Sequence, residues 1–159
     1  MSGIIGGAGS KSGVIGTTEL DYEEGIYSWV FTDGSCTWTP RASYTKFAYV
    51  KIGQLVTVHG RFETSGSSGT KIASPVYFNL PFTVGSPGEN SGASMGSGAI
   101  IRGDNSVTGS PAPLVNVSST TANWIIPHPD TSGASETYLY GNQLDDSLEG
   151  YINLTYTAA

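Results

Sequence analysis

Residues 44–62 read YTKFAYVKIGQLVTVHGRF. Val56, Val58 and Phe62 share one parity, and Thr57, His59 and Arg61 share the other. That is the two-residue period of a strand with one buried face. The preceding run, Phe47 to Ile52, is equally rich in aromatic and β-branched residues, which suit a pleated surface. Only Gly53-Gln54 separates the two runs, and glycine at the first central position suits a type II′ hairpin turn. Nothing at helical spacing competes. The stretch specifies an antiparallel ribbon and points to a β-structured display module with no site of chemistry.

Working outward, strand signals recur on both sides. Before the ribbon, Ile26–Thr32 and Ser35–Thr39 flank Asp33-Gly34, a strong hairpin signal. After it come a polar loop at 64–70 (TSGSSGT), then Lys71–Val76 leading into Tyr77–Leu80. Residues 85–98 form a long Gly/Ser/Pro/Asn surface loop. Further short strands are expected at Ala99–Arg102, Leu114–Ser118, Asn123–Ile126, Thr137–Tyr140 and Tyr151–Tyr156. Asp145-Asp146-Ser147 reads as a loop or single turn before the last strand, and Thr17–Glu24 as one helical turn with acidic residues in its first turn. The count is about 9–10 short strands joined by turn-rich loops, the pattern of an all-β antiparallel sandwich or jelly roll. Two packed sheets bury more apolar surface than one wide sheet with a wet face.

Residues 1–16, MSGIIGGAGSKSGVIG, hold two apolar patches, Ile4-Ile5 and Val14-Ile15, among glycines and serines. Such a segment cannot bury enough surface to fold alone. It reads as an extended N-terminal arm that orders against a partner, with those four residues as attachment pegs. The division expected is an attachment arm over 1–24 and a display domain over 25–159.

Composition narrows the function classes. The chain has 159 residues, enough for one domain and an arm. Charged residues are only 13%, so solubility rests on hydroxyls and a modest net charge of −6. Seven scattered basic residues do not form the cluster that phosphate binding needs, which excludes nucleic acid. No apolar run reaches the roughly 18 residues of a membrane helix, so no membrane insertion is expected, and no secretion signal is visible at the amino end. Cys36 is alone, which rules out an intrachain disulfide and suggests a buried, inert thiol.

The chemical constellations are weak. His59 sits mid-strand and His128 lies between two prolines, with no nucleophile elbow for either to serve. One Cys and two distant His give no zinc spacing. Asp145, Asp146 and Glu149 lack the alternating carboxylates of a calcium loop and read as a solvated acidic loop. Arg102-Gly103-Asp104 reads as a strand end and turn. No catalytic residue, metal ligand or cofactor is expected. Most aromatics, Trp29, Phe31, Trp38 and Phe47 among them, read as core filling. Trp124, Tyr138 and Tyr140 are the candidates for exposed rings that stack on a sugar or a subunit.

Several stretches together resemble the terminal domains and small surface proteins of tailed bacteriophages, especially marine and cyanobacterial ones. Gly3–Gly16 followed by Glu19-Leu20-Asp21-Tyr22-Glu23-Glu24-Gly25 is similar to their arm and "DYEEGTWTP" motif, although here Ile26-Tyr27-Ser28 follows and Thr37-Trp38-Thr39-Pro40 comes later. Tyr49–Val58 resembles their "Y-x-K-I-G-x-L-V-T-V" hairpin, and Tyr77–Phe82 their "I-x-L-P-F" turn. The likeness covers residues 3–82, while 85–149 match no familiar pattern. It implies a non-enzymatic virion surface protein, a homotrimer made in the host cytoplasm and held on the particle by its arm. The expected role is a tail-fibre or receptor-binding protein that docks on a tail component, with loops at 64–70, 85–98, 104–113 and 127–136 meeting the host surface or its glycans. The alternatives are a capsid decoration (cement) or head-fibre protein bound to the major capsid protein and, further off, a carbohydrate-binding or hydrolytic module.

Overall fold

The computed structural model describes residues 21–85, 93–95, 97–104, 111–116, 119–126 and 137–159. These residues fold as an all-β, antiparallel sheet that curls on itself like a half-barrel. Twelve strands run in the order β1 (Tyr22–Ser28), β2 (Phe31–Thr32), β3 (Cys36–Pro40), β4 (Lys46–Ile52), β5 (Leu55–Gly69), β6 (Tyr77–Asn79), β7 (Ala93–Met95), β8 (Ser97–Asp104), β9 (Ala112–Asn116), β10 (Thr121–Ile126), β11 (Thr137–Tyr138) and β12 (Leu144–Thr157). A 3-10 turn at Gly141–Gln143 precedes β12.

The β4–β5 ribbon forms as its residues specify. Ile52 pairs with Leu55 across the two-residue turn, and Gly53 takes φ +58°, which glycine adopts without the Cβ penalty other residues meet. The Asp33-Gly34 signal also produces its hairpin, with Phe31 opposite Trp38 and Thr32 opposite Thr37. Strand β5 is the spine. Its first part lies between β4, paired from Leu55 to His59, and β12, paired from Leu55 to Glu63. Its last part pairs with β3, and the register slips by one residue between Gly66 and Thr64. That slip is a bulge, which bends a strand and raises its twist. Through the bend β5 serves two parts of the sheet: β1-β4-β5-β12-β8 on one side, and β5-β3-β2-β6-β10-β9-β7 on the other.

The concave side is packed with rings. Trp29 stacks on Phe47 at 5.7 Å, Phe31 lies 4.6 Å from Phe78, and Phe62 and Phe78 both meet Trp124 edge-on. Val56, Val58, Phe62, Ile152, Leu154 and Tyr156 point inward on the parity read from sequence. Gly60 occupies the same inward parity, where an added Cβ would overlap the Phe47 ring. The missing side chain lets that ring lie over the strand and reach Trp29. Burial pushes the Tyr156 phenol up to about 12, so it remains a neutral O–H that donates to the Phe82 carbonyl at 3.0 Å.

Several local expectations are corrected. Tyr22–Glu24 belong to β1, not to a helical turn, because each pairs across to β4 between Val50 and Ile52. The division at 24/25 therefore falls inside a strand. Residues 64–69 are strand, not loop: Thr64 is buried, its hydroxyl donates to the Asp146 carbonyl at 2.7 Å, and it accepts the Leu148 N–H at 2.7 Å. Asp145-Asp146-Ser147 lie within β12. Of the loop at 85–98, residues 93–95 and 97–98 are in β7 and β8, whereas 86–92 lie outside the described residues, as do 105–110 and 127–136.

Candidate interaction surfaces

The register places one set of side chains on the convex, outer side of the β1-β4-β5-β12 sheet. Across the strands run Tyr22–Ile52–Leu55–Thr157, then Glu24–Val50–Thr57–Thr155, then Ile26–Ala48–His59–Asn153, and at the far end Arg61–Tyr151. Seven large apolar side chains are exposed among the described residues, and five of them, Tyr22, Ile26, Ile52, Leu55 and Tyr151, belong to this face. Ile26 is 63% exposed and Leu55 52%. Scattered exposed apolar residues are ordinary, but five on one sheet surface form a patch of the kind that marks an interaction site. A shallow groove of about 400 Å³ runs over it, lined by Glu24, Ile26, Ala48, Val50 and His59.

Charges on this face are matched. Arg61 binds Glu149, lies 3.5 Å from Glu63, and rests over the Tyr44 ring at 4.6 Å. Arg41 reaches Glu63 from the margin at 2.8 Å. Glu24, whose carboxylate accepts the Tyr22 hydroxyl, and Lys46 stand apart at separate register positions, so the face carries three carboxylates (Glu24, Glu63, Glu149) and three cations (Arg41, Lys46, Arg61) and adds little to the chain's −6.

The region around the β2–β3 turn is built differently. Asp33 is buried, and its carboxylate accepts N–H bonds from Ser35 (2.8 Å), Cys36 (2.6 Å) and Ile72 (2.9 Å). Burial alone would raise its pKa, but the amides of Ile72, Cys36 and Ser35 outweigh it and hold the carboxyl below its ordinary value. Nearby, Asp146 is lowered by its hydrogen bonds to Lys71 and Ser67. These contacts fasten turns and strands together. Cys36 is buried, as its isolation in the sequence suggested.

The candidate residues separate. Ile4, Ile5, Val14 and Ile15 lie outside the described residues. Trp124, expected as an exposed ring, is fully buried against Phe62 and Phe78 and is withdrawn as a receptor contact. The cause is local: Trp124 and Ile125 are both buried, so this strand is covered on both faces. Tyr138 and Tyr140 are half-buried and flank Leu139, whose N–H donates to the Trp124 carbonyl at 2.9 Å. Tyr138 pairs with Ile125 at the border of the Trp124 strand. No group of three or more His, Cys, Asp or Glu side chains able to hold a metal ion occurs among the described residues. No helix among them is long and apolar enough to cross a membrane. The outer apolar face escaped the sequence reading, although the exposed parity of Ile52 and Leu55 about the Gly53-Gln54 turn was a signal for it. No family model matches the chain, and no curated protein matches it either.

Proposed function

We propose that this chain is a structural protein of a bacteriophage virion, of the tail-fibre or receptor-binding kind, that works by assembly and contact and not by catalysis. In this reading the curled sheet is the body of a sandwich-like display domain, three copies form a homotrimer, and the arm before β1 attaches it to another virion protein. The observation that carries the reading is the division of the body into an aromatic core and an outer sheet face that is apolar and charge-matched. Such a face suits a protein whose task is to be built into something larger. The phage-like stretches at 3–25, 49–58 and 77–82 support the same assignment. The half-buried Tyr138 and Tyr140 remain the ring candidates for a host-surface glycan.

The test is electron microscopy of phage particles labelled with an antibody to this chain, alongside a variant lacking residues 1–16. Label at the tail, and a folded truncated protein that no longer joins particles, is the expected result. Label over the shell would move the function to capsid decoration. Particles without label would end the virion reading.

A further inference from the structure

We propose that copies of this chain join to one another through the outer face of the β1-β4-β5-β12 sheet, with Ile26, Ile52, Leu55 and Tyr151 as the large apolar side chains of the seam. This rests on the reading that the chain assembles with itself, and it names the surface that does so. Three features favour a second copy as the occupant.

The first is charge. A chain of net −6 repels its own copies, so a self-association surface must lack that excess. This face does, with Glu24, Glu63 and Glu149 offset by Arg41, Lys46 and Arg61. A partner of strong opposite charge would instead call for a face carrying a net charge of its own. The second is geometry. The central side chains are short or β-branched (Ala48, Val50, Thr57, Thr155) and lie in register across β4, β5 and β12, with Thr57 and Thr155 hydroxyls 3.0 Å apart. Rigid residues of this type lose little rotamer freedom on burial, and a broad, even sheet face suits packing against another sheet. The third is concentration. Among the described residues, the exposed large apolar side chains outside this face are Val30, whose N–H donates to Asn79, and Ile72, whose N–H donates to Asp33.

The experiment is sedimentation velocity and light scattering on the full chain as a function of concentration, for the parent, for Ile26→Glu/Leu55→Glu, and for the control Val30→Glu/Ile72→Glu. The parent and the control should give the same oligomer. The outer-face variant should dissociate, with a dissociation constant raised roughly a hundredfold or more, because each copy buries carboxylates against apolar side chains. Far-ultraviolet circular dichroism checks that it remains folded; if it does not, Leu55→Ser, which leaves no charge to bury, takes its place and should weaken the oligomer in the same direction. A parent oligomer that the outer-face variants leave intact would overturn the seam while self-assembly stands. Dissociation by the control variant to the same extent would also overturn it. A parent that is monomeric at every concentration would overturn both the seam and the self-assembly on which it rests.

Discussion

The two parts of strand β5 are held by different physics. From Val56 to Phe62, rings and methyls (Val56, Val58, Phe62) point inside and polar side chains (Thr57, His59, Arg61) point outside, and burial of Val56, Val58 and Phe62 holds the strand down. From Glu63 to Gly69 there is almost nothing apolar to bury. There the strand is fixed by ladder bonds to β3, by the Thr64 hydroxyl between Asp146 and Leu148, and by Ser67 donating to Asp146 at 2.6 Å. A continuous backbone can thus carry one segment stabilised by area and another by polar satisfaction. Substitutions should distinguish them.

The largest effect belongs to the apolar part. Val58→Asp places a carboxylate where the side chain is fully buried, and Lys51 on the same parity of β4 is already engaged by Asp21 at 2.7 Å. The cost should be on the order of 5 kcal/mol, which consumes most of the stability of an ordinary domain. Thermal melting followed by circular dichroism should show a protein largely unfolded at 25 °C. Ser68→Asp, the same chemistry at an exposed position of the polar part, should shift stability by no more than about 0.5 kcal/mol. A normal melt for Val58→Asp would mean that the faces of β5 are assigned the wrong way round.

The polar part responds to a subtler change. Thr64→Val keeps the shape of the side chain but strands the Leu148 N–H and the Asp146 carbonyl, both of which use the hydroxyl. Leaving buried groups unpaired costs about 1–3 kcal/mol, and denaturant midpoints should fall accordingly. Thr64→Ser, which restores the hydroxyl and loses one methyl, should recover most of that loss. If valine is as stable as threonine, ladder pairing alone holds this segment, and the contrast within β5 disappears.

The same contrast explains what could be read in advance. Alternation is a local signal, so the ribbon at 44–62, the Asp33-Gly34 hairpin and the inward set Ile152, Leu154 and Tyr156 were all legible. TSGSSGT carries no hydrophobic period, and its strand state depends on β3 and on residues 146–148, some eighty positions away. Tyr22–Glu24 carried helix-start chemistry that pairing with β4 overrode. Trp124 was misplaced because alternation fails where a strand is covered on both sides. The outer face was hidden for a related reason: period two separates two parities, but it does not say that the weaker parity will still hold Ile26, Ile52 and Leu55. Sequence told which residues go in, and the register was needed to show which apolar residues stay out together.

The smallest effect tests polar satisfaction within the core itself. Trp38 and Trp124 are both fully buried, but the Trp38 indole N–H donates to the Asp145 carbonyl at 2.7 Å, whereas that of Trp124 finds no acceptor among the described residues. Replacing either with Phe deletes similar ring area. At position 38 the change also removes a bond worth about 1 kcal/mol, whereas at 124 it removes a buried donor that was already a liability. Trp38→Phe should therefore be the more destabilising of the two by about 1–2 kcal/mol in urea titrations, with Trp124→Phe losing only what the smaller ring fails to fill. Equal losses would mean that ring packing sets the cost at both sites and that the indole N–H at 124 is satisfied in solution by water reaching the core.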